Sequence, residues 1–129
     1  MPDPIVYIDR SRIVDGKLQQ LKDGVRRLVE FVEGREPRLV SYGFYLDEEH
    51  MRMTVIAIHP DSASLELHMT VGGPEFRKLS ELVDLTEIEV YGQPSDKAIV
   101  QLREKAKLLG SGGKVTLLAS HAGFARMPG

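Results

Sequence analysis

Residues 41–68 read SYGFYLDEEHMRMTVIAIHPDSASLELH, and this stretch decides the fold. Leu39 to Leu46 is rich in aromatic and β-branched residues, and Met51 to Ile58 is a second run of that kind. Asp47-Glu48-Glu49-His50 between them is a polar turn. A hairpin follows, in which a turn over those four residues sets Leu46 opposite Met51. Val40, Tyr42, Phe44, Leu46, Met51, Met53, Val55 and Ala57 then share one apolar face. Leu39, Ser41, Gly43, Tyr45, Arg52, Thr54, Ile56 and Ile58 share the other, mixed face, because side chains alternate along a strand. His59-Pro60-Asp61 ends the strand. Asp61 or Ser62 caps a helix through Val71 that carries His68. Gly72-Gly73-Pro74 is expected to end that helix.

On the N-terminal side, Ile5 to Ile8 begins a strand that runs towards Ile13, and Asp15-Gly16 breaks it. From Lys17 to Glu33 the apolar period becomes helical. Leu18, Leu21, Val25, Leu28, Val29 and Val32 fall on one stripe, opposite Lys22, Asp23, Arg26, Arg27 and Glu30. Gly34 is the expected C-cap, and Pro37 prevents continuation. On the C-terminal side, Glu75 to Val83 reads as a short helix and Leu85 to Tyr91 as a strand. Ser95 caps a further helix with Ile99, Leu102, Ala106 and Leu109 on one stripe. Val115 to Ala119 is a last strand after a glycine-rich connector.

Composition narrows the function classes. A chain of 129 residues with 42% hydrophobic and 28% charged residues suits a single globular domain over 1–129. Its core is expected over about residues 4–92, with a helix–strand extension over about 93–122. The net charge of -2 offers no basic footprint for nucleic acid. There is no cysteine, so thiolate chemistry and disulfides are excluded. No apolar run approaches the ~20 residues that span a bilayer, and Met1-Pro2-Asp3-Pro4 does not resemble a secretory leader. A cytoplasmic protein without membrane or nucleic-acid partners is the expectation. Neither tryptophan nor asparagine occurs in the chain.

Strand, helix, strand, strand, helix, strand is the ferredoxin-like order of an α+β protein with an antiparallel sheet. One layer of helices covers one face of such a sheet. The second face needs cover of its own, most economically a second copy. Tyr42-Gly43-Phe44-Tyr45-Leu46-Asp47, then Val55 to Ile58, then Asp61-Ser62-Ala63-Ser64-Leu65-Glu66-Leu67-His68 resemble the antibiotic biosynthesis monooxygenase family of dimeric α/β-barrel proteins. That resemblance covers roughly Ile5 to Tyr91. It implies a homodimer, no cofactor, and oxidation of a small aromatic or quinol-like ligand. The haem-degrading relatives use an asparagine, a tryptophan and a histidine together, so their chemistry does not carry over to a chain lacking two of the three. The acidic residue that many relatives place late in the third strand is not evident near Ala57.

His68 is the catalytic candidate. It lies within an apolar helical arc aimed at the mixed sheet surface, where an imidazole can act as a base. The structural alternative is a core histidine bonded to Ser41 or to a backbone carbonyl. Ser41, Tyr45, Arg52 and Thr54 share the mixed face beside Gly43 and are the substrate-binding candidates. Against that stands an ordinary sheet position with Arg52 extending to water. His59, His68 and His121 match no common metal-ligand spacing, so no metal is expected. Two functions follow: a cofactor-independent monooxygenase, or a non-catalytic small-molecule-binding or assembly module.

Overall fold

A computed structural model describes residues 3–126. Five strands and three helices follow in the order β1 (Ile5–Ile13), α1 (Leu18–Arg35), β2 (Ser41–Asp47), β3 (Arg52–His59), α2 (Ser62–Arg77), β4 (Val83–Tyr91), α3 (Asp96–Leu109) and β5 (Lys114–Leu118). The strands form one sheet in the order β2-β3-β1-β4-β5. The first four are antiparallel and ferredoxin-like; β5 runs parallel to β4. A parallel neighbour requires a crossover, and α3 supplies it. No described helix is long and apolar enough to cross a membrane.

The core lies between the sheet and the helices. Ile5, Tyr7, Asp9, Ser11 and Ile13 alternate inward along β1 and are all buried. Register sets Tyr42, Ala57, Tyr7 and Val90 in one inner row, and Phe44, Val55, Asp9 and Ile88 in the next. From α1, Leu21, Leu28 and Val32 close over this face, and from α3, Ala98, Leu102, Ala106 and Leu109 do the same. Asp61 and Ser95 cap α2 and α3 by accepting from the amides of Ser64 and Ala98.

The hairpin register differs from the sequence expectation. Leu46 lies opposite Met53, and the turn is Glu48 to Met51, with Met51 at φ 51°. The slip is two residues, so every side chain keeps the face assigned to it. The outer face grades from Ser41, Ile58, Val6 and Tyr91 at one end to Asp47, Arg52, Arg12 and Asp84 at the other. No helix covers it. Tyr45 folds over Gly43 there, its hydroxyl 2.8 Å from where a Cβ would stand.

Helix α1 runs two residues past Glu33, so Glu36 rather than Gly34 stands at its C-cap. Helix α2 does not stop at Gly72. It runs through Gly72, Gly73 and Pro74 to Arg77, and the separate helix expected from Glu75 is its continuation followed by turns. Burial of Phe76 and Leu79 offsets the backbone bond that Pro74 cannot make. Gly72 has a packing role in place of the breaking role. His68, Gly72 and Phe76 are successive positions on one face, and a Cβ at 72 would stand 2.5 Å from Phe76 Cζ. Gly72→Ala is therefore expected to cost about 1–3 kcal/mol by displacing the ring, which denaturant melts would measure. In β4, the alternation breaks at Thr86. Arg10 faces Glu87 but Ser11 faces Leu85, a bulge whose extra residue donates its hydroxyl to the Arg10 carbonyl.

Candidate functional site

The helix side of the sheet holds a buried polar cluster. His68 on α2 is fully enclosed, with 0% exposure. Its Nδ1 lies 2.9 and 3.0 Å from the two carboxylate oxygens of Glu36, itself buried at the end of α1. Its ring packs edge-on to Tyr42 at 4.9 Å and lies 5.3 Å from His59 and 5.2 Å from Phe76. His68 Nε2 is buried and has no hydrogen-bond partner among the described residues. A carboxylate only accepts, so Nδ1 carries the proton and Nε2 is left with a lone pair. Burial lowers the proton affinity of His68 more than the Glu36 carboxylate raises it, which keeps the imidazole neutral.

His59, the last residue of β3, is buried beside it and pairs through Nδ1 with the Ser64 hydroxyl at 2.8 Å. Its Nε2 is also unpartnered. Burial, with His68 nearby, lowers its pKa to about 3. The consequence for stability has a definite sign. Unfolded imidazoles take up protons below about pH 6.5, while His59 resists until about pH 3. The folded state binds fewer protons across that window, so stability falls as pH drops through it, by about 1.4 kcal/mol per pH unit for this histidine. His68, whose affinity is lowered too, adds a loss of the same sign. Urea midpoints measured from pH 7 to pH 4 should fall steeply, and His59→Gln should flatten the slope.

A second group lies on the same side. Lys105 of α3 reaches into the core, where its ammonium lies 3.0 Å from Asp9 and donates to the Tyr7 hydroxyl. Tyr7 donates in turn to Asp9. Burial first, then the Asp9 charge, raises the Tyr7 pKa well above its ordinary value, so the phenol stays protonated. The Lys105 ammonium also sits 4.3 Å from the centroid of Phe76, the ring that touches His68.

The sequence candidates divide between the two faces. His68 meets Tyr42 on the inner face, not the mixed face that the sequence reading aimed it at. Ser41, Tyr45 and Thr54 alternate with inward residues and belong to the outer face, as does Arg52, so the sheet stands between them and His68. The expected partner of His68, Ser41 or a carbonyl, is Glu36 instead. His121 lies exposed in the tail, and no group of three or more potential metal ligands occurs among the described residues. Sequence reading missed Glu36, Asp9, Tyr7 and Lys105. Asp9 and Lys105 did leave a signal: each is a charge at an inward position of a largely apolar strand or helix stripe.

Two surface grooves abut the cluster. One, of about 270 Å³, lies between the end of α1 and β2 and is lined by Glu36 and Tyr42. The other, of about 400 Å³, lies between α2 and α3 and is lined by Phe76 and Lys105.

No family model and no curated protein matches the chain. Solved structures do match it. MupZ from Pseudomonas fluorescens superposes with a TM-score of 0.74 at 15% identity, over 96% of this chain and 95% of that one. SnoaB from Streptomyces nogalater, described as a cofactor-independent oxygenase, gives 0.60 at 17% identity over 72% and 95%. A protein described as an antibiotic biosynthesis monooxygenase gives 0.59 at 19% identity over 70% and 99%. The two shorter neighbours match about as much of the chain as β1–β4 contains. This chain therefore has the ferredoxin-like fold of the antibiotic biosynthesis monooxygenase-like proteins.

Proposed function

We propose that this protein is a cofactor-independent monooxygenase of a small hydroxylated aromatic, with His68 as its base. The observation that carries this reading is the Glu36–His68 pair, which fixes the ring by Nδ1 and leaves Nε2 buried, neutral and unpartnered. A carboxylate behind an imidazole is the arrangement that orients a general base. For a hydroquinone, Nε2 would take the phenolic proton. The electron-rich phenolate then reduces dioxygen, one oxygen atom bonds to a ring carbon, and the O–O bond breaks as water leaves. Hydroquinone plus O₂ becomes hydroxyquinone plus water, with dioxygen as the only oxidant. Tyr42 and Phe76 both touch His68 and both line surface grooves, so rotation of either ring would admit a substrate.

The test is oxygen uptake with a panel of quinols and polyphenols. One O₂ consumed per product, at a rate that falls at least about a hundredfold in His68→Ala, is the expected result. A second reading, a non-catalytic binding or assembly module, is favoured by the complete enclosure of His68. Ligand-dependent rises in melting temperature without any product would support it and end the first. In either reading we assign a second copy of the chain to the outer face. Val6, Ile8, Ile56 and Ile58 line it, and Tyr45 there is 57% exposed.

A further inference from the structure

We propose that Lys105, brought into the core by α3, is a positioning residue of the His68 centre: it engages Asp9 and Tyr7 and offsets the Asp9 charge, so that Glu36 is the carboxylate that sets the state of His68. This rests on the reading of His68 as a base, and it adds a residue from outside the β1–β4 unit.

Two buried carboxylates stand on the helix side of the sheet, Glu36 and Asp9. Glu36 takes the Nδ1 side of His68. Asp9 is engaged instead by the Lys105 ammonium at 3.0 Å and by the Tyr7 hydroxyl. Phe76 stands between the ammonium and the imidazole, with its ring centroid 4.3 Å from the first and 5.2 Å from the second. The charged or titratable groups around His68 are Glu36 after α1, Tyr42 on β2, His59 on β3, Tyr7 and Asp9 on β1, and Lys105 on α3. Lys105 is the only fixed cation among them. Its position 7% exposed makes its effect on neighbouring charges stronger than a surface lysine's would be.

Removing that cation leaves Asp9 as an uncompensated buried anion. Such a site relieves itself by acquiring a proton, and His68, whose proton affinity the Asp9 charge raises, is drawn towards protonation. An imidazolium at His68 could not act as a base. Lys105 thus preserves the lone pair on Nε2 without touching it.

The experiment is NMR titration of the His68 side chain in four proteins, and it needs no substrate. In the wild type, His68 should stay neutral. Lys105→Gln keeps a donor to Asp9 but removes the charge, and it should raise the proton affinity of His68 on the order of tenfold. Lys105→Arg should restore the wild-type titration. The double variant Asp9→Asn, Lys105→Gln carries neither charge, and in it His68 should again stay neutral. The double variant also secures the test if Lys105→Gln fails to fold. A Lys105→Gln protein that titrates as the wild type would overturn the proposal, as would a double variant in which His68 is readily protonated. Absence of oxygen uptake by the wild type would end the oxygenase reading and leave these titrations to stand or fall separately.

Discussion

A chain truncated after Gly92 is expected not to fold cooperatively. Removal of α3 uncovers the inner face of β4 and takes away Ala98, Leu102, Ala106 and Leu109. Each leucine contributes about 1.5–3 kcal/mol through burial. Asp9 loses the ammonium that neutralises it, and breaking a buried pair in this way costs about 3–5 kcal/mol. Removal of β5 also leaves β4 as an unpaired edge from Glu87 to Tyr91, open to pairing with other chains. Together these losses match the whole stability of a small domain, about 5–15 kcal/mol. Circular dichroism should show no sigmoidal melt, and size-exclusion chromatography should show aggregates. A truncated protein as soluble and stable as the full chain would mean that the extension is an accessory rather than a part of the core.

His68→Ala should be strongly destabilising, costing about 3–5 kcal/mol. It opens a cavity between Tyr42, His59 and Phe76 and strands the Glu36 carboxylate among buried groups. Glu36→Gln gives the contrast. Its amide can still meet Nδ1, so the loss should be nearer the ~1 kcal/mol of an ordinary hydrogen bond. Chemical denaturation of the two variants separates the contributions. Equal losses would contradict this, since they would show that the cavity and the stranded carboxylate add nothing to the cost of altering the contact. A destabilising His68 variant is compatible with catalysis, since a base oriented by a buried carboxylate is fixed by the same contacts that stabilise the core.

Much of the architecture was legible because it depends on local periodicity. The stripe of α1 and the faces of the hairpin rest on spacing alone, and the caps at Asp61 and Ser95 on single side chains. The hairpin faces survived a wrong turn because a slip of two residues preserves alternation. Gly72-Gly73-Pro74 misled for the opposite reason. Local propensity argues for a stop, but burial of Phe76 carries the helix through. The buried pairs were harder to see. Glu36 follows a helix and precedes a proline, where a polar residue is ordinarily solvated. Only the packing of α2 on the sheet encloses it. Asp9 and Lys105 are separated by 96 residues, so no local pattern can join them. His68 was legible as an inward histidine, but its face was not. That depended on which side of the sheet the helices took.

Everything proposed for this site depends on Glu36 holding His68 as a neutral base with Nε2 free. Nitrogen-15 NMR of the histidine side chains near neutral pH tests it directly, because the tautomers differ in their ring-nitrogen shifts. His68 should be neutral, with its proton on Nδ1 and a lone pair on Nε2. An imidazolium at His68, or a neutral ring protonated on Nε2, would contradict it.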